Sequence, residues 1–222
     1  MSIQSEEKTG PTLTQGTLAI IAAILLGLAA VFTAWSAFRA SLTGDLVLKN
    51  YSEQQATIAL ATDTYGRADQ QETLEISLFL EYVVAASAGN VTASDYLETV
   101  MTEELFAAVS WWLEEPDETS PPTPFDVVDP YFADLPSQVL VVEGDALIEE
   151  ADALRAAAEE ADAVSDRFDL ANVFFAVVLF IAGLTTIVQR RSIQLAFLGL
   201  SVVGLIAGAA VMVTTPGWLS LS

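Results

Sequence analysis

The chain of 222 residues contains neither cysteine nor histidine. Without thiols there is no disulfide, no thiolate nucleophile and no cysteine-ligated zinc. Without imidazole, the commonest general base and the commonest transition-metal ligand are both missing. Basic residues are scarce as well. Eight Lys and Arg, with Lys8 and Lys49 the only lysines, stand against 30 Asp and Glu. A net charge of -22 is repelled by phosphate backbones, so nucleic acid is excluded as an expected partner. Proline is absent from Thr12 to Glu115 and from Ser137 to Thr215, and six of the eight prolines fall between Pro116 and Pro136. Long helices are therefore permitted on both sides of a helix-poor middle.

What the chain has in quantity is apolar: 53% of its residues are hydrophobic. Such a fraction and such a charge occupy different parts of the sequence. Three runs reach the roughly 20 residues that a helix needs to cross a bilayer core. They predict transmembrane helices over 16–38, 170–188 and 195–215, the last followed by Pro216 and Trp218 as end-stop and interfacial anchor. The first is expected to be a retained span and not a cleaved signal peptide. Its apolar stretch is too long for a signal core, and Glu6 and Glu7 precede it with only Lys8.

Arg190 and Arg191, in the short 189–194 connection, mark that loop as cytoplasmic by the positive-inside rule. The expected topology follows: a cytoplasmic tail over 1–15, an extracytoplasmic domain over 39–169, and an extracytoplasmic C-terminal tail over 216–222. From Arg39 to Asp169 there are 28 acidic and 5 basic residues, a net of -23, so this segment carries the chain's whole negative charge. The expected localisation is the cytoplasmic membrane, with the N-terminus inside and the main domain outside.

The outer segment reads as all-α. The first span continues outward as a stem, with a break expected at Tyr65-Gly66-Arg67. A helix from about Gln70 to Ala88 stops at Gly89-Asn90, and another runs from about Thr92 to Leu113. A Pro-rich loop over 114–136 contains Pro121-Phe125, which favours an extended polyproline conformation. Beyond it Leu147, Ala151, Leu154, Ala158, Ala161, Ser165 and Phe168 recur at spacings of four and three, a seam of mostly small residues. No breaker separates this helix from the second span, so a continuous rod is expected from Val139 to Val188, roughly 75 Å long at 1.5 Å per residue.

Candidate sites are few. Glu114, Glu115, Asp117 and Glu118 form the densest acidic cluster, read chiefly as a solvated loop, secondarily as a weak binder of divalent ions and last as catalytic carboxylates; weakly bound divalent or monovalent cations are the small partners expected of the acidic domain. No metal-ligand spacing and no catalytic constellation is present, so the expectation is a non-enzyme without cofactors. Trp111, Trp112, Phe106, Phe125, Tyr131 and Phe132 read mainly as core that fastens the loop, with a ligand or partner platform as the alternative. Within the spans, Ala19, Ala23 and Gly27, and Gly204 and Gly208, suit close helix packing inside the chain or between chains. Two sequons, at Asn50 and Asn90, are acceptors for N-glycosylation if the host performs it. The acid excess suits a halophilic setting, where salt screens self-repulsion.

The order of elements carries a resemblance. AWSAF at Ala34-Phe38 is followed by ISLFLEYVVAASAGN at Ile76-Asn90, EELFAAVSWWL at Glu103-Leu113, PPTPF and Tyr131, and AVSDRFDLANVFFAVVLFIAGL at Ala163-Leu184. It resembles a group of uncharacterised prokaryotic three-pass membrane proteins. In these a PP-x-PF segment sits between a Trp-bearing helix and a long helix entering the second span. The chain departs from them at Phe38-Arg39, where Tyr-Gln is frequent, and in its few basic residues. The resemblance implies the three-span topology and a shared outer domain, and it transfers no catalytic or binding residue. The function expected is an envelope interaction or scaffold protein, pairing with itself or with another membrane protein in the lipid bilayer. The alternative is an accessory or cation-sensing subunit of a transport complex, with an extracytoplasmic hydrolase a distant third.

Overall fold

A computed structural model describes residues 15–114 and 121–219. Among these the fold is all helical, with no strand. In chain order the helices are α1 (Gln15–Ser87), α2 (Val91–Val100), α3 (Glu103–Glu114), a short 3-10 turn (Phe132–Asp134), α4 (Pro136–Thr185) and α5 (Arg191–Thr214). Helices α1, α4 and α5 are each long and apolar enough to cross a membrane. The described residues divide into two compact units: those up to Lys49 together with those from Ala157, and Asn50–Ala156. The second, acidic unit holds 22 acidic and 2 basic residues, a net charge of -20. The first, apolar unit holds the rest of α1 and α4, and α5.

Several boundaries differ from the sequence expectation. The break expected at Tyr65-Gly66-Arg67 is absent, and α1 runs unbroken through it. A lone glycine costs a helix only about 1 kcal/mol relative to alanine, and nothing in this Pro-free stretch reinforces it. Conversely, the single helix expected from Thr92 to Leu113 is two. Met101 adopts an extended conformation, ψ 148°, and the Thr102 hydroxyl oxygen accepts the Leu105 N–H at 3.2 Å to cap α3. Glu103 and Glu104 in the first turn then favour that new N-terminus. Helix α4 starts at Pro136, as proline in the first helical position allows, and stops at Thr185 instead of Val188. Helix α5 starts at Arg191 instead of Leu195. The Gln194 side chain donates to the Thr185 and Val188 carbonyls at 3.3 and 2.6 Å, satisfying acceptors at the end of α4.

At the other end of the chain's first connection, α1 closes in a Schellman motif. Gly89 has φ +68°, its N–H donates to Ala86, and the Asn90 N–H donates to Ala85. Asn90 then turns its side chain to accept the Ala93 N–H at 3.2 Å, so one residue ends α1 and caps α2.

In the apolar unit, Phe168, Ala171, Phe175 and Met212 form one buried cluster with Phe32, Trp35 and Trp218 against it, and Leu18, Ala22, Leu25 and Leu198 form another. Helices α1 and α4 exchange hydrogen bonds here: the Ser36 hydroxyl donates to the Phe168 carbonyl at 2.7 Å, and Ser165 donates to Ala40 at 3.2 Å. The turn after α5 folds back on α1. Arg39 donates from Nη2 to the Gly217 carbonyl at 2.8 Å, and the Trp35 indole donates to the Trp218 carbonyl at 3.2 Å. The Arg39 guanidinium also lies 5.6 Å from the centroid of the Phe168 ring.

In the acidic unit, Phe79, Met101, Leu105, Ala108, Val109 and Leu135 make the core. Phe79 meets the rings of Trp112 and Phe125 edge-on, at 5.3 and 5.7 Å. Tyr65 crosses α4 at Gly144, where a Cβ would fall 2.6 Å from Tyr65 Cε1, and its hydroxyl donates to Asp145 at 2.6 Å.

Candidate functional site

The acidic unit concentrates the polar groups that could meet a ligand, and its geometry begins with Glu75. This side chain is 1% exposed on α1. Its Oε1 accepts the Ser137 backbone N–H at 3.1 Å and the Gln71 amide at 3.0 Å, and its Oε2 accepts the Ser137 hydroxyl at 2.6 Å. Every oxygen is engaged, and the carboxylate lies at the N-terminus of α4, where the helix dipole and free N–H groups favour an anion. Its chemistry is that of a fastening group, capping one helix from another.

The described part of the Pro-rich segment, from Pro121, is anchored to α3. Pro124 is fully buried, and Trp112 donates its indole N–H to the Pro121 carbonyl at 2.9 Å. Asp129 is 3% exposed; its Oδ1 accepts the Tyr131 N–H at 2.8 Å, while Oδ2 has no partner among the described residues. Burial holds this carboxyl above the usual carboxylate range, against the lowering effect of the Tyr131 N–H. The six aromatics noted in the sequence therefore divide. Trp112, Phe125 and Phe132 pack on the core. Phe106, Trp111 and Tyr131 line an open groove of about 350 Å³ with Glu103 and Glu114. An adjoining groove of about 510 Å³ is lined by Glu103, Glu104, Asp134 and Tyr131. Both offer acceptors without a cationic side chain. No group of three or more Asp or Glu stands in metal-holding array among the described residues. Of the acidic cluster read from sequence, Glu114 ends α3, and Glu115, Asp117 and Glu118 lie outside the described residues.

The remaining sequence-selected residues are placed as follows. Along α4, Ala151, Ala158 and Phe168 are buried, and Leu147, Leu154, Ala161 and Ser165 are half-buried. Gly208 is buried against Phe175, where a Cβ would come within 2.6 Å of the ring, and Gly204 meets Val178. Ala19, Ala23 and Gly27 are exposed, and the buried face of α1 is instead Leu18, Ala22, Leu25 and Ala29. Arg190 and Arg191 are exposed. Asn50 is half-buried within α1, and Asn90 is the exposed cap of α2. Two features were missed in the sequence: the Glu75 cap, which no local pattern announces, and a groove between the end of α1 and α2. The second had a signal, since Leu80, Val84, Ala88 and Val91 continue an apolar row at helical spacing.

Residues 140–214 match the family model of a domain of unknown function, DUF4337. The match takes in α4 from its first turns and all of α5, so the α4 seam, the 186–190 connection, Gly204 and Gly208 lie within it. Helices α1, α2 and α3 lie outside it. The similarity is to an uncharacterised family and brings no activity with it. No curated protein and no solved structure matches the chain.

Proposed function

We propose that this protein is a non-enzymatic scaffold of the cytoplasmic membrane, which holds an acidic helical unit outside the cytoplasm for interaction with other envelope proteins. The observation that carries the reading is the segregation of charge. The acidic unit has a net charge of -20, while the apolar stretches of the three helices suited to cross a membrane all lie in the apolar unit. Arg190 and Arg191 at the α4–α5 connection orient that connection inward, which directs the acidic unit outward. The element order supports membership of a group of prokaryotic three-pass proteins with a PP-x-PF segment, and the acid excess supports a high-salt habitat. The exposed Ala19, Ala23 and Gly27 face of α1 offers a close-packing surface to a second membrane helix, of this chain or another.

Because the chain has no native cysteine, single substitutions report sidedness without background. Thr92→Cys should react with an impermeant maleimide on intact cells, and Ser192→Cys only after permeabilisation. The reverse pattern would sink the topology. Cross-linking from the acidic unit in cells should trap a protein neighbour; a chain that remains uncross-linked from several exposed positions is no scaffold.

A second reading is a cation-sensing accessory subunit of a transport complex. It draws on the adjoining grooves lined by Glu103, Glu104, Glu114 and Asp134. Calorimetry with calcium, magnesium and sodium decides it. No heat and no shift in melting at millimolar divalent ion would remove it.

A further inference from the structure

Helix α2 has no buried residue. Ten residues long, it places Val91 (66% exposed), Tyr96 (68%) and Val100 (47%) at the surface, and Leu80 (55%) and Val84 (67%) of α1 are exposed as well. Between the two helices lies an open groove of about 480 Å³, lined by Leu80, Val84, Ala85 and Ala88 of α1 and by Ala93 and Leu97 of α2. Leu80, Val84 and Ala88 form one i, i+4 row, some 12 Å long at 1.5 Å per residue. Such a ridge receives two turns of another helix. Water gains nothing from so much apolar surface, and an exposed apolar groove of this kind marks an interaction face.

The charge around it selects the occupant. Glu81 lines the groove itself. Asp95 and Glu98 of α2 lie close to the Tyr82 hydroxyl, which donates to Glu98 at 3.1 Å. No lysine or arginine occurs anywhere from Ala68 to Leu154, so this part of the chain supplies no cation of its own. A second copy would bring another unit of net charge -20 to the same surface, and anionic lipid headgroups are repelled in the same way. We infer that the groove between α1 and α2 is a docking site for an amphipathic helix of another protein, with apolar anchors on one face and Lys or Arg on its flanks. The inference rests on the scaffold reading and names the surface and partner chemistry it uses.

The test uses the full chain in detergent, carrying a fluorophore on a Thr92→Cys variant. The probe is a synthetic Leu/Lys helix with Leu at i, i+3, i+4 and i+7. Its comparators are a scrambled peptide of the same composition and a Leu/Glu peptide of the same pattern. The patterned Leu/Lys peptide should bind, and tighter than either comparator. Leu80→Asn with Val84→Asn should weaken it about tenfold, a typical loss for truncated anchors. Both side chains are more than half exposed, so the fold is expected to persist; Leu113→Asn, exposed on α3, is the control for an apolar change elsewhere and should leave binding unchanged. Equal binding of the scrambled peptide, an unchanged affinity in the double variant, or quenching of the label by zwitterionic vesicles in place of the peptide would each overturn the inference. If cellular cross-links from other faces of the acidic unit persist meanwhile, the scaffold reading stands and the groove alone is lost.

Discussion

Glu75 and Ser137 are joined twice: one carboxylate oxygen takes the serine's backbone N–H at 3.1 Å and the other takes its hydroxyl at 2.6 Å. They stand 62 residues apart in sequence, yet together they fix where α4 begins. A helix that opens with Pro136 has no side chain of its own at that position able to cap it, and α1 provides the acceptor.

Removing this cap should be costly in proportion to what is left unpaired. Glu75→Ala strands the Ser137 N–H and hydroxyl in a buried place and is expected to destabilise the protein by about 2 kcal/mol. Ser137→Ala loses only one bond, and about 1 kcal/mol. Thermal melting by circular dichroism orders the two. Equal losses would mean that the carboxylate does not serve the backbone N–H.

At Gly144 the limiting factor is space. A methyl there would sit 2.6 Å from the Tyr65 ring, so Gly144→Ala is expected to cost about 1–3 kcal/mol despite alanine's better helix propensity. Tyr65→Ala should recover most of the loss in a double-mutant cycle. If the single change stabilises, the two side chains do not meet as described.

Asp129 gives a pH signature. Its carboxyl titrates above the usual range because it is buried, so folding favours the protonated form. Its contribution is fully present below the unfolded carboxylate value of about 3.9 and is lost as pH rises through the higher folded value. Asp129→Asn keeps an oxygen for the Tyr131 N–H and removes the charge. At neutral pH it should melt higher than the parent, by about 1 kcal/mol, with the gap closing on acidification. A variant that melts lower at neutral pH shows that Oδ2 has a use.

The two small-residue sets in the apolar helices should respond oppositely. Gly208→Leu drives a side chain into Phe175 and is expected to cost about 2 kcal/mol or more in detergent. Ala23→Leu, on an exposed position, should leave the monomer's melting unchanged and alter only contacts with neighbouring helices.

How much of this was legible in the sequence follows from the range of the interactions. The helical class and the three apolar runs are one-dimensional signals of length and composition, and they match the helices found. The Gly89-Asn90 stop was readable because a Schellman motif is a local pattern. The α2–α3 break was equally local, in Thr102-Glu103-Glu104, but an apolar run on either side masked it. Gly66 misled because a glycine states only a local cost, and the neighbouring helix propensity outweighed it. Glu75, Gly144 and the division of the aromatics depend on partners 60 or more residues away for the first two, and on loop docking for the third. Small residues promise close approach without saying which face will use it, which is why Gly204 and Gly208 meet side chains of α4 while Ala19, Ala23 and Gly27 are exposed.

The turn after α5 has a bearing on biogenesis. Arg39 and Trp35 bond to carbonyls that lie 178 and 183 residues further along the chain. During synthesis the first hydrophobic helix leaves the ribosome long before Gly217 and Trp218 exist, so these bonds form only once α4 and α5 have been translated. The first apolar helix thus waits for the turn after α5 to complete its contacts, and truncation just before Gly217 should remove the bonds that the turn makes to Arg39 and Trp35.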